Sequence, residues 1–408
     1  MTAVPGGPGW NQINSSNSPV YDHGTLTQTT RFVRRAVDAA CTDPVYSNVV
    51  TVTVRPQLSG GAITAGQTIC YGDDVAAFQS NAPASGGGGS FTYTWQYTTD
   101  MTAVLGDPAW TDINPSNSLT YNHGTLIETT RFVRKAVDAT CSTPVYSNIL
   151  TVTVRPPLSG GVIADDQEIC YNADADAFTS TSAASGGSGS FTYTWQYTTN
   201  MSAVAGDGTW TNINGNNSAT YDPGSLTTDT RFIRMAVDAI CSSPVYSNEV
   251  KVTVRPQATG GVIASPQTVC PGDDVAAFTS TEDASGASGS FTYSWYYTTD
   301  PLALPGSAAW IPITGTDSPV YDHGTVTQTT RFVRMAVDAI CPGPVYSNVV
   351  QVTVLPAVNG GVIGTGLSVC YGADVPAFTD EVSASGGTES FTYLWQYTTN
   401  MTAVAGDG

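Results

Sequence analysis

Phe91-Thr92-Tyr93-Thr94-Trp95-Gln96-Tyr97 alternates aromatic and polar residues, and it returns unchanged at 191–197 and with small changes at 291–297 and 391–397. Alternation with a period of two is the pattern of a strand with one buried face. The stretch therefore reads as the central strand of a sheet, its aromatic row turned to a core. Outward from it the chain repeats throughout. Trp95, Trp195, Trp295 and Trp395 form one set and Trp10, Trp110, Trp210 and Trp310 another, and these are all eight tryptophans. The eight cysteines fall into two sets of the same period: Cys41, Cys141, Cys241, Cys341 and Cys70, Cys170, Cys270, Cys370. No insertion or deletion breaks the register, so the repeating unit is 100 residues long.

Each valine-threonine run ends in Pro-Gly punctuation, as in residues 55–61. Proline cannot donate to a sheet ladder and glycine frees the backbone, so a strand ends and a new domain begins there. This places complete units at 59–158, 159–258 and 259–358, flanked by partial ones at 1–58 (later strands) and 359–408 (early strands). Inside a unit, residues 75–78 read as a short early strand and 85–90 as a Gly/Ser loop before the Trp95 strand. Residues 110–113 and 119–121 read as short strands, 130–137 as a long one and 149–154 as the last. Several short strands, turn signals at close spacing and no helical period predict an all-β fold: tandem immunoglobulin-like β-sandwiches arranged as a rod or filament.

The succession Gly-Gly-x-Ile, Thr-Ile/Val-Cys, Thr-Tyr-x-Trp-Gln, Trp-x-x-Ile, Arg-Phe-x-Arg and Tyr-Ser-Asn-x-x-x-Val-Thr-Val resembles the immunoglobulin-like repeats of very large Bacteroidetes surface proteins. Gliding-motility adhesins exported by the type IX route are the best-known carriers. The resemblance runs the length of the chain. It implies a secreted, extracellular protein of the cell surface, used in adhesion or gliding.

Charge narrows the function further. Lys and Arg total 14 against 33 acidic residues, a net charge of -19, and Lys135 and Lys251 are the only lysines. A phosphate-binding surface needs clustered cations, so nucleic acid is not an expected partner. No apolar run is long enough to span a bilayer, and no basic-then-apolar leader opens the sequence.

Two cysteines per unit point to an oxidising compartment. The antibody arrangement places them on strands B and F astride the tryptophan, and this chain departs from it. Pairing within a unit would join Cys70 to Cys141, Cys170 to Cys241 and Cys270 to Cys341. Pairing across a seam would join Cys41 to Cys70. Free thiols are the third alternative. In a head-to-tail row the F–G loop lies at its domain's N-terminal end, which sets Cys41 a domain's length from Cys70 and favours the in-unit pairs. That choice requires residues 68–70 to lie near the F–G end.

No catalytic signature appears, and no enzyme activity is expected: there is no Cys-x-x-Cys, His-Glu-x-x-His or Gly-x-Ser-x-Gly. His23, His123 and His323 sit in turn sequences, and Pro223 replaces the histidine in one copy. Asp74 and Asp138 recur in every unit and are weak candidates for calcium, against a turn-capping role; no other cofactor is expected. One arginine of the pair Arg131 and Arg134, on the long strand, is expected to stack on an aromatic of the neighbouring Tyr-x-Trp-x-Tyr strand, against a basic ligand stripe repeated along the rod. Trp110, Tyr93 and Tyr97 are possible ligand aromatics, against a packing role.

Two functions follow. The first is a rigid repeat stalk or filament segment of a secreted bacterial surface adhesin. The alternative is a multivalent array with one weak glycan or protein site per repeat. The expected partners are neighbouring repeats of the same or adjoining chains, and extracellular glycans or surfaces. Val145 and Tyr146, in the invariant Pro-Val-Tyr-Ser-Asn, are expected to pack on the preceding seam at Pro56 and Leu58 and to set the angle between units. The partial units at the two ends would each bare a sheet face. They are expected to be completed by adjoining repeats of a longer chain, with head-to-tail association as the alternative.

Overall fold

A computed structural model describes residues 4–14, 17–114 and 117–406. The unit at 59–158 stands for all three complete ones. Its strands are β1 (Ala62–Ile63), β2 (Gln67–Ile69), β3 (Ser80–Ala82), β4 (Phe91–Thr98), β5 (Thr111–Ile113), β6 (Thr130–Asp138), β7 (Val145–Tyr146) and β8 (Leu150–Val154). One sheet runs β2-β8-β6-β4-β5, with β7 also paired to β6. The long pair at its centre, β4 with β6, is antiparallel from Phe91 opposite Asp138 to Thr98 opposite Arg131. At the edge β2 lies parallel to β8, with Gln67 opposite Val152 and Ile69 opposite Val154. The facing layer holds β1 and β3, prolonged by single-pair bridges Ser59–Ser85, Phe78–Tyr121 and Asp74–Thr125. Two layers with the last strand between β6 and a parallel first-strand segment make an immunoglobulin-like sandwich.

The expected early strand at 75–78 is reduced to two of those bridges. The side chain of Gln67 takes the place of a neighbouring strand there: its Oε1 accepts from Ala76 N at 3.1 Å and its Nε2 donates to Ala76 O at 2.8 Å.

Between the layers sit Ile63, Val75, Phe78, Trp95, Leu126, Phe132, Leu150 and Val152. Trp95 is fully buried, its ring 5.7 Å from that of Phe78, and its Nε1 donates to Ser118 O at 2.9 Å. Truncating so large a core side chain costs about 3–5 kcal/mol. Alternate residues of β6 point the other way, and Val133 joins Ala103 and Trp110 in a second cluster on the outer face, with Tyr146 packed against it. Both faces of β6 are therefore covered, which is why it is buried along its length.

The partial units lack one half of this arrangement. Trp395, equivalent to Trp95, is 62% exposed, and Val52 is exposed where Val152 is buried.

Candidate functional site, a staple between consecutive units

The parallel pairing of β2 with β8 decides where Cys70 goes. Both strands run toward the C-terminal end of the unit, and Arg155 N, just past β8, donates to Ile69 O at 2.9 Å. Cys70 thus emerges beside the start of the linker to the next unit. The turn after β6 of that next unit, following Thr230–Asp238, lies at its N-terminal end and carries Cys241. The two cysteines form a disulfide with Cα atoms 5.8 Å apart, and Cys170 with Cys341 repeats it at the following seam with the same 5.8 Å.

The expected in-unit pairs Cys70–Cys141, Cys170–Cys241 and Cys270–Cys341 are therefore not formed. They required the first-strand cysteine to lie at the N-terminal end of its own unit, and β2 carries it to the opposite end. The other cross-seam pair considered, Cys41–Cys70, is not formed either. Cys41 and Cys270 are exposed free thiols, Cys141 is a half-buried one, and Cys370 is exposed and free.

A buried aspartate presents the receiving cysteine. Asp238 Oδ1 accepts from Ile240 N at 3.1 Å and Cys241 N at 2.8 Å. Its Oδ2 accepts from Ser188 N at 2.9 Å and Ser188 Oγ at 2.6 Å. Asp338 does the same with Ile340, Cys341 and Ser288. Burial by itself opposes the charge on Asp238, but the bonds from Ser188 Oγ, Cys241 N, Ile240 N and Ser188 N outweigh it and hold the carboxyl below its usual range. In the first unit Gly88 replaces the serine. Asp138 there keeps backbone bonds from Gly88, Cys141 and Thr140, which lower its pKa to about 2, while Oδ2 is buried without a hydrogen-bond partner.

The same loop grips the linker. Gly187 N donates to Pro156 O at 2.9 Å, and a Cβ on Gly187 would fall 2.7 Å from both Asp238 and the Leu158 side chain. Gly187 takes φ +54 without strain, and at the next seam Ala287 holds the same place at φ +49, donating to Pro256 O at 2.7 Å. Each of the two seams between complete units is thus held at two points. The linker seats on the Gly/Ser loop of the following unit, and the disulfide ties the preceding unit to the adjacent turn.

A family profile described as a domain of unknown function, DUF8696, matches residues 6–56, 59–156, 159–256 and 259–356. The chain belongs to this family. No curated protein matches its sequence. Among solved structures it is similar to three N-terminal domains of the Hoc outer capsid protein of bacteriophage RB49 at 13% identity and a TM-score of 0.27, covering 73% of this chain and 99% of that one. Extracellular domains 3–5 of Drosophila OTK are 11% identical at a TM-score of 0.24, covering 73% and 97%. The N-terminal four Ig domains of Dscam1 isoform 6.44 are 13% identical at 0.21, covering 86% and 88%.

The other predicted residues have separate fates. The Tyr146 side chain packs beside Ala103, Trp110 and Val133 of its own unit, while its backbone lies close against Gly60. Val145 pairs with Ala136 of the same unit. The Pro56–Leu58 linker meets the Gly/Ser loop instead, with Gly87 N donating to Pro56 O at 2.9 Å. Sequence reading missed that loop as the receiver because its glycines look like spacing alone.

The ligand aromatics are taken up by packing. Trp110 is 6% exposed, donates from Nε1 to Val104 O at 2.9 Å, and lies under Arg131 at 5.6 Å. Tyr93 lies under Arg134 at 5.0 Å and Tyr97 packs on the main core. Arg134 is thus the one arginine of the pair that stacks on the Tyr-x-Trp-x-Tyr strand, and Arg131 stacks on Trp110 outside it. Arg134 is fully buried and knits the two layers, donating to Ser80 Oγ and to the carbonyls of Gly60, Ala82 and Leu119.

Asp74 and Asp138 do not converge. Asp74 bridges to Thr125 just before β6 begins, and Asp138 ends β6, roughly 25 Å away at 3.3 Å per strand residue. Among the described residues no group of three or more His, Cys, Asp or Glu could hold a metal. His123 Nδ1 meets Tyr121 Oη at 3.0 Å and its ring packs 4.9 Å from Phe132; burial lowers its pKa.

Proposed function

We propose that the chain is a structural stalk, a rigid row of sandwiches within a secreted bacterial surface adhesin, working outside the cell in adhesion or gliding. The observation that supports it most is that both complete seams carry the same disulfide, the same aspartate and the same linker seat. A step between units that is repeated without change adds up to a straight or gently helical row. Disulfides between units persist in an oxidising compartment, which supports an extracellular site. The motif resemblance supports the adhesin assignment. The role needs neither a cofactor nor turnover, and its partners are the neighbouring repeats.

Small-angle scattering of the full chain tests the reading. Units of ~35–45 Å, from strands of about eight residues plus loops, give a particle roughly 150 Å long. A compact particle would reject the stalk.

A further inference from the structure

The two staples overlap along the chain. One bypasses residues 71–240 and the other bypasses 171–340. Leaving Cys241, the chain passes through the last strand of its unit (Val250–Val254), crosses the seam, enters Gln267–Val269 and reaches Cys270 at the far end of the next unit. Residues 141–170 make the same passage one unit earlier and end in the staple to Cys341.

Each such segment starts at the front of one unit and ends at the back of the next. In the unit at 159–258 both are present at once: Gln167–Ile169 belongs to one and Val250–Val254 to the other. They are neighbouring parallel strands, with Gln167 opposite Val252 and Ile169 opposite Val254. The following unit pairs Gln267–Val269 with Val350–Val354 in the same way.

We propose that these segments and staples form two overlapping covalent lines that run side by side along the row and cap its extension. The long central strands of the first and third complete units lie off the shortest covalent route, whereas those of the middle unit, Phe191–Thr198 and Thr230–Asp238, lie on it between Cys170 and Cys241. A line covers two units with residues 241–270, about 100 Å when drawn straight. A single unit of 100 residues without staples would yield about 330–360 Å on unfolding. Unfolding the first or the third complete unit therefore releases little length, and unfolding the middle one releases no more than the chain between Cys170 and Cys241. The inference deepens the stalk reading and rests on it for the purpose of the device. The length limit itself rests on the two staples.

Single-molecule stretching of the full chain by its two ends tests this. With both staples closed, the shortest covalent route follows residues 1–70, returns from 241 to 170, and continues along 341–408, about 210 residues in place of 408. The oxidised chain should stop about 700 Å short of the reduced chain. Cys70→Ser with Cys241→Ser leaves one staple and should stop about 600 Å short, because the two bypassed loops overlap. Final extension does not depend on whether a variant folds well. Equal final extensions for oxidised and reduced chains would overturn the proposal. A compact particle in scattering combined with a capped extension would reject the stalk and leave the covalent lines standing.

Discussion

Removing the first staple by Cys70→Ser with Cys241→Ser leaves Cys170–Cys341 as an internal control. The closure spans 171 residues. The loop-entropy relation assigns a closure of that length about 5 kcal/mol, as an upper value shared by the two joined units. Little of it is offset in the folded state. The Cα spacing of 5.8 Å lies inside the range that disulfides adopt, and Asp238 holds Cys241 in place through two backbone bonds. For about 200 residues, each kcal/mol corresponds to about 2–4 °C in Tm. Calorimetry of the full chain should therefore show the transition of the first two complete units falling by roughly 10–20 °C. Reduced wild-type protein should show at least the same fall, which separates loss of the crosslink from the effect of serine itself. Superimposable melts of oxidised wild type and variant would refute the reasoning.

Arg234→Met removes four hydrogen bonds and strands the carbonyls of Gly160, Ser182 and Ala219 inside the sandwich, so chemical denaturation should report a loss of about 3–5 kcal/mol. Gly88→Ser supplies the donor that Asp138 Oδ2 lacks and that Ser188 and Ser288 provide elsewhere; the melting temperature of that unit should rise, provided Thr140 rotates away from the new Cβ. Asp138 titrates lower in the fold than in the open chain, so its contribution is complete above about pH 4 and is lost as pH falls through about 2. The amide resonances of Gly88 and Cys141 should accordingly hold steady above pH 4 and shift only in more acid solution. Tyr246→Ala, next to Trp210 and Ile233, should destabilise its own unit by about 2 kcal/mol while Cys70–Cys241 still forms, as peptide mapping would record.

Local pattern carried most of the fold. The alternation at 91–97 puts Trp95 inside, and the run at 130–137 becomes β6 almost to the residue. The cysteine partners were not legible, because they hinge on the direction of β2. That strand is three residues long, and its pairing to β8 joins residues more than eighty positions apart. Nothing local in Gln67-Thr68-Ile69 distinguishes a parallel partner from an antiparallel one.

The signal for Asp138 was present and pointed two ways. An aspartate three residues before each of Cys41, Cys141, Cys241 and Cys341 fits a turn cap as well as a metal ligand, and only its distance from Asp74 separates the readings. Trp110 was ambiguous for a different reason. Its cover comes from the preceding loop, where Ala103 and Val104 fold over the outer face and their carbonyls accept from Arg131 and from Trp110 itself. Tyr146 was ambiguous because its constancy from copy to copy suits a core residue and a seam residue equally well, and its side chain packs on its own unit while its backbone borders Gly60.

Disulfides that join consecutive units hold the row together, and peptide mapping of oxidised protein under non-reducing conditions measures them directly. Digestion should release one crosslinked pair holding Cys70 with Cys241 and another holding Cys170 with Cys341. Recovery of Cys70 with Cys141 and of Cys170 with Cys241 would contradict it, since each unit would then be closed on itself and the seams would have no staple.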